Sequence, residues 1–213
     1  MSQTSAWNRP ARQNRSSRTE QRILEATERL MAQRPFHEIS ISEIAQEAQA
    51  SVSSLYARFP AKESLLGAVY ERYAVDQQAM FDQVLRPDDW NGVSLAEVLR
   101  RTFPLIVDGY RARQGLLRAF LEQASRDVRF RETWSGIGEQ VVGQVSEIVM
   151  RQPDQVRHPD PERGIRTGLG VVFATLAHQI QMHRIDEASM DGLTDELILM
   201  MLRYMGIEDS PAQ

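Results

Sequence analysis

The chain has 213 residues, a formal net charge of −4, 42% hydrophobic and 25% charged side chains, and no cysteine. That is room for a small domain beside a larger one, and it excludes disulfides and thiolate metal sites outright. Residues 1–70 hold nine basic and seven acidic side chains while the remainder holds 16 and 22, so the acidic whole does not exclude a nucleic-acid partner for the front third.

Residues 1–17 carry Arg9, Arg12 and Arg15 and no acid among Ser, Gln, Asn and Pro. This is the composition of a basic arm, disordered when free. Such an arm can follow phosphates or enter a minor groove, with Arg15 and Arg18 best placed, or it can be a solubilising tail. Ser17-x-x-Glu20 reads as a capping box, so the first helix is expected to start near Arg18. Ser40 is the next N-cap, with Glu43 three residues on. Ile41, Ile44, Ala45 and Ala48 then recur at helical spacing and predict a helix over 41–48. Gln49-Ala50 is a turn, and Ser51 caps a helix over 52–58. Leu55 and Phe59 point inward there, which leaves Ser53, Ser54 and Tyr56 outward. Two short helices across a tight turn are the layout of a helix-turn-helix, whose second helix enters the DNA major groove.

A longer pattern surrounds that motif: Arg22, Ile23, Leu24 and Ala26; then Ile44, Ala45 and Ala48; then Leu55, Tyr56, Phe59, Lys62, Glu63, Leu65 and Leu66. The stretch 18–69 resembles the DNA-binding domain of the tetracycline-repressor (TetR) family of transcriptional regulators. The resemblance implies an all-α fold: an N-terminal three-helix helix-turn-helix head (18–66) and a larger C-terminal helical ligand-binding and dimerisation domain (67–208). It also implies that Val52, Ser53 and Ser54 meet base edges and that Tyr56, Arg58 and Lys62 meet phosphates. Ser40, Ser42 and Ser51, with Arg15 and Arg18, complete the expected DNA-binding set. The chemistry agrees: serine hydroxyls donate and accept, Val52 can touch a thymine methyl, and Lys62 opens a helix whose N–H groups favour a phosphate. The plainer alternatives are a half-buried core tyrosine for Tyr56 and a solvated surface charge for Lys62. The family's turn usually has Gly where Gln49 stands, so either Gln49 accepts a left-handed backbone or the turn differs.

Helical periodicity continues to the end of the chain. A connecting helix is predicted over 63–85, followed by a loop at 86–92 (RPDDWNG). Ser94-x-x-Glu97 caps the next helix, which Pro104 is expected to kink or restart. Further helices are predicted over 114–124, 130–150, 161–182 and 193–205, with a proline-rich linker over 152–161. Gly164, Gly168, Val171, Thr175, His178 and Met182 form a stripe, and Leu197, Met201 and Tyr204 share a face of the last helix. Together they read as a homodimer interface, a four-helix bundle of two helices per subunit, or else as the core of a monomer. Close approach of another backbone would compensate the two glycines.

By the resemblance, the middle helices enclose a small-molecule effector. Phe103, Val107 and Tyr110 share one face, Phe120 belongs to a second apolar group, and Trp134 and Ile137 to a third; plain core is the alternative for each. Arg118 and Gln123 are candidate polar anchors. No enzyme motif is found: His178 and His183 are five apart, and Gly168-x-Gly170 lacks a third glycine and a preceding strand. No cofactor or metal is expected. The N-terminus has no apolar core, and the longest apolar stretch, 171–177, is far short of the ~20 residues that cross a bilayer. The sequence reads as a cytoplasmic, homodimeric regulator without a membrane partner, a repressor released from a palindromic operator on double-stranded DNA by a small effector. The alternatives are an effector-independent DNA-binding helical protein and a helical ligand-binding protein with a non-functional head.

Overall fold

The computed structural model describes residues 9–182 and 187–209, and of residues 9–16 and 187–191 the backbone alone. All regular structure among the described residues is helical. The chain divides into two compact units, and the boundary between Tyr73 and Ala74 falls inside a helix.

The first unit is built from α1 (Arg9–Met31), α2 (Ile41–Glu47), α3 (Val52–Tyr56) and the start of α4 (Lys62–Val84). Its centre takes Ile23 and Ala26 from α1, Ile44 from α2, Leu55 from α3, and Leu65 and Val69 from α4, all wholly buried. These are the apolar positions of the sequence pattern, so each helix buries the one stripe its spacing predicts. Thr27 is buried among them and donates its hydroxyl to the Ile23 carbonyl at 2.7 Å.

The start of α1 corrects an expectation. The helix begins at Arg9, not near Arg18, so Ser17 lies inside it and caps nothing. Arg, Gln and Ala are good helix formers, and Pro10 is tolerated in a first turn, where its missing N–H has no helical partner to lose. Of the expected disordered arm, residues 1–8 and the side chains of Arg9, Arg12 and Arg15 lie outside the described residues.

The second unit holds the rest of α4 and α5 (Leu95–Ala112), α6 (Gln114–Arg126), α7 (Val128–Met150), α8 (Pro161–Gln181) and α9 (Glu187–Met205). α5 packs on α9, α6 on α7 and α8, and α8 on both α7 and α9. The starts are capped as the side chains allow: Ser94 accepts from the Glu97 N–H, Asp127 from Arg129 and Phe130, and Asp160 from Arg163. The 86–92 loop contains a 3-10 turn at Pro87–Trp90, anchored where the Trp90 indole N–H donates to the Val84 carbonyl at 2.9 Å. Asp82 of α4 accepts from three amide side chains: Gln78 and Gln144 at 2.7 Å, and Gln140 at 3.3 Å. The two α7 glutamines thereby tie the end of α4 to α7.

Of the two outcomes expected at Pro104, a kink or a restart, the restart does not occur: α5 runs through it. Proline removes one backbone bond, and burial of Thr102, Phe103, Ile106 and Val107 around it offsets the loss. α9 starts six residues before Leu193, in a stretch whose polar composition carries no apolar stripe.

Candidate nucleic-acid interface

The geometry begins with the caps. Ser40 and Glu43 form a complete capping box at α2: the Glu43 N–H donates to Ser40 Oγ at 3.2 Å and the Ser40 N–H to Glu43 Oε2 at 2.7 Å. Arg34 donates to the other Glu43 oxygen at 2.5 Å. The Arg34 bond, the Ser40 backbone N–H and the Ser40 hydroxyl hold the Glu43 carboxyl down at about 2. Gln49 turns the chain with φ at 51°, a left-handed backbone on a residue with a Cβ. Of the two alternatives the sequence left open, Gln49 takes the strained one. Ser51 then caps α3 by accepting from the Ser54 N–H at 3.1 Å.

Leu55 of α3 and Phe59 just after it face inward, at 0% and 6% exposure, and Val52 and Tyr56 face outward, at 39% and 48%. Apolar side chains that open on a short helix are surface that the fold alone does not need. Ser53 is exposed beside them and its hydroxyl lies 3.0 Å from that of Ser51. Ser40, Ser42 and Ser51 are exposed too. Ser54 is less open than expected: Arg58 donates to its carbonyl at 2.7 Å and its hydroxyl at 2.8 Å. α3 also ends at Tyr56, two residues earlier than expected. Lys62 is drawn inward, with its ammonium donating to the His37 carbonyl at 3.2 Å and lying 4.6 Å from the centre of the Phe36 ring. Burial pulls the Lys62 pKa below that of an ordinary lysine, against the opposing pull of Glu63 and Glu43. Arg18 is exposed on α1, and the Arg15 side chain lies outside the described residues.

Residues 23–69, the stretch that forms this head, match the family model for bacterial regulatory proteins of the tetR family. Through this head the chain is similar to regulators of the tetR family. A relative, the HTH-type transcriptional regulator EthR of Mycolicibacterium smegmatis, is 24% identical over 178 residues, covering 79% of this chain and 80% of its own. The fold has solved counterparts. A Mesorhizobium loti protein described as a candidate TetR-family regulator superposes with a TM-score of 0.71 at 18% identity, covering 89% of this chain and 97% of the other. Thermus thermophilus FadR, a TetR-family transcriptional repressor in complex with lauroyl-CoA, superposes with a TM-score of 0.62 at 22% identity, covering 91% and 98%. The head's match and the relative both point to DNA-binding transcriptional regulators, and the solved counterparts share the fold.

The expected effector residues do not surround one space. Phe103 lines an apolar cavity of about 40 Å³, whereas Val107, Tyr110, Phe120, Trp134 and Ile137 do not. Phe120 packs against Phe130 and Trp134, with ring centroids at 6.1 and 5.7 Å. Tyr110 stacks on Phe173 at 6.5 Å, and desolvation pushes its phenol up to about 12. The physical reason is that α6 closes on α7 through its own aromatic cluster, while the cavity lies among α5, α7, α8 and α9. The Arg118 Nε is buried with no hydrogen-bond partner among the described residues.

The expected dimer stripe splits in the same way. Leu197 and Met201 are buried at 4% and 2% exposure by their own subunit. Gly164 and Gly168 are buried against α9, where a methyl group on either would meet Met205 Sδ at 2.8 Å or Met201 Sδ at 2.5 Å. The close approach that the glycines permit is therefore by methionine sulfurs of the same chain, not by another backbone. Val171, His178, Met182 and Tyr204 remain exposed and Thr175 half-buried, its hydroxyl donating to the Val171 carbonyl. Sequence reasoning missed Met205 and Thr102 of the cavity wall. The signal for Met205 was there: methionines four apart on the last helix match glycines four apart on the one before.

Among the described residues no helix is long and apolar enough to cross a membrane. No group of three His, Asp or Glu residues could hold a metal ion there.

Proposed function

We propose that this protein is a cytoplasmic homodimeric repressor that reads a palindromic operator through paired α3 helices and leaves it when a small effector binds the second unit. The observation that carries the DNA part is the outward pair Val52 and Tyr56 on a helix whose other face is closed by Leu55. Val52 and Ser53 meet base edges. Tyr56, the Arg58-braced Ser54 and the exposed Ser40, Ser42 and Ser51 meet the backbone, with Arg15 and Arg18 alongside. Lys62 contributes to phosphate binding once it leaves the His37 carbonyl. The exposed Val171, His178, Met182 and Tyr204, with Thr175 between, supply the dimer contact. Support for an effector comes from the lauroyl-CoA held by the Thermus FadR counterpart. An effector moves the equilibrium only through unequal affinity for the two spacings of the α3 pair.

The test is binding to a duplex from upstream of the protein's own gene, measured at two salt concentrations. Affinity is expected to fall steeply with salt. Tyr56→Ala is expected to weaken binding to all duplexes by about tenfold, the scale of one lost contact of ~1–2 kcal/mol. Binding unaltered by salt and by Tyr56→Ala rejects the proposed interface. The smallness of the 40 Å³ cavity favours a second reading, a regulator that answers to no effector.

A further inference from the structure

The cavity of the second unit has a wall of one chemistry. Leu99 and Phe103 of α5, Val149 of α7, Leu169 of α8, and Met201 and Met205 of α9 all face it. Among the described residues its lining includes no charged or amide side chain, and the one polar residue is Thr102. That hydroxyl is already committed, donating to the Val98 carbonyl at 2.8 Å. A guest that brought a charge or a hydrogen-bonding group into this space would leave it unpaired at high cost, whereas apolar cavities stay dry and accept apolar guests.

Its size restricts the guest further. At about 40 Å³ it falls well below the roughly 300–1,000 Å³ of pockets that hold whole ligands, so it suits one end of a molecule. A space that admits water-sized spheres admits a chain one methylene wide, whereas a ring or branch requires growth in two directions. Two wall residues, Met201 and Met205, are unbranched and adaptable. Their sulfurs lie back against Gly168 and Gly164, in notches that a single methyl group would fill. Seated against these glycines, the two methionines still line the cavity, so the room the glycines leave them bears on its depth.

We propose that this cavity receives the terminal hydrocarbon segment of a straight-chain ligand whose polar end stays outside it, with Gly164 and Gly168 setting the length accepted by seating Met205 and Met201. The assignment deepens the effector reading above and rests on it only for the consequence of binding, release from DNA.

Calorimetric titration of the full chain, without DNA, with saturated straight-chain fatty acids of increasing length tests it. Affinity is expected to rise about fourfold per added methylene up to a limiting length. Met201→Ala is expected to move that limit to longer chains and Gly168→Ala to shorter ones. Met201→Leu, close in volume but branched and stiffer, shortens it with the least disturbance to folding. Dicarboxylic acids of matched length, which would bury a second carboxylate, are expected to bind at least a hundredfold more weakly. The proposal is overturned by absence of binding, by the same limit in all variants, or by equal affinity for mono- and dicarboxylic acids. Binding that leaves duplex affinity unchanged supports the cavity assignment and rejects effector-driven release, so the two ideas fail separately.

Discussion

At the scale of single residues, the described part of the head holds a strained backbone at Gln49 and a strongly held carboxylate at Glu43. Gln49 sits at φ 51°, where an L-residue is disfavoured by about 1–2 kcal/mol. Gly at that position removes the strain but adds unfolded-state freedom, at about 0.5–1 kcal/mol. Gln49→Gly is therefore expected to stabilise the protein by about 0.5–1 kcal/mol in chemical denaturation; a loss of stability would mean that the Gln49 side chain contributes a contact. Glu43 is held at about 2, below the ordinary value of 4.5, by Arg34 and Ser40. A depressed folded pKa means stability that is fully present above the unfolded value and is lost as pH falls through the folded one. Between about pH 5 and pH 2 the wild-type protein should lose more stability than Glu43→Gln, and parallel acid melting curves would show that the capping box has no such linkage.

At the scale of elements, the caps of α2 and α3 were legible because a cap is local. Ser40, Glu43 and Ser51 stand next to the apolar residues they introduce, and their bonds form as the spacing predicts. The start of α1 was misread for a related reason. Ser17-x-x-Glu20 has the letters of a capping box, but helix-forming residues on its N-terminal side let the helix continue past it. At Pro104 local propensity left a kink and a restart both open, and the buried face of α5 on both sides of it excludes the restart. Periodicity on α8 showed that a face is covered but not by what: Gly164 and Gly168 meet sulfurs of their own chain. The end of α9 carries a testable device. Gly206 has φ at 65°, the Ile207 N–H donates to the Leu202 carbonyl at 2.8 Å, and a methyl group on Gly206 would lie 2.7 Å from Arg157 Cβ. Gly206→Ala is expected to lower stability by about 1–2 kcal/mol, read as an earlier denaturation midpoint, because alanine gains both backbone strain and a clash.

At the scale of the whole molecule, the proposed pairing of subunits depends on apolar surface that one chain leaves open. Val171, at 45% exposure, stands on the same helix as the buried Leu169 and Leu176, and Met182, at 50%, caps its end. Val171→Glu is expected to yield monomers in sedimentation at concentrations where the wild type is dimeric, and to weaken palindrome binding far more than binding to a half-site. A dimer that persists in Val171→Glu would place the contact elsewhere. The tie between Asp82 and the amides of Gln140 and Gln144 has a separate consequence. Its partners touch at 2.7–3.3 Å, well inside the ~8 Å over which physiological salt screens charge. Raising ionic strength should strip the protein from a duplex while leaving α4 clasped to α7. Dissociation driven by counterions and dissociation driven by a shifted helix would then carry different signatures, and a spectroscopic label near Asp82 would tell them apart.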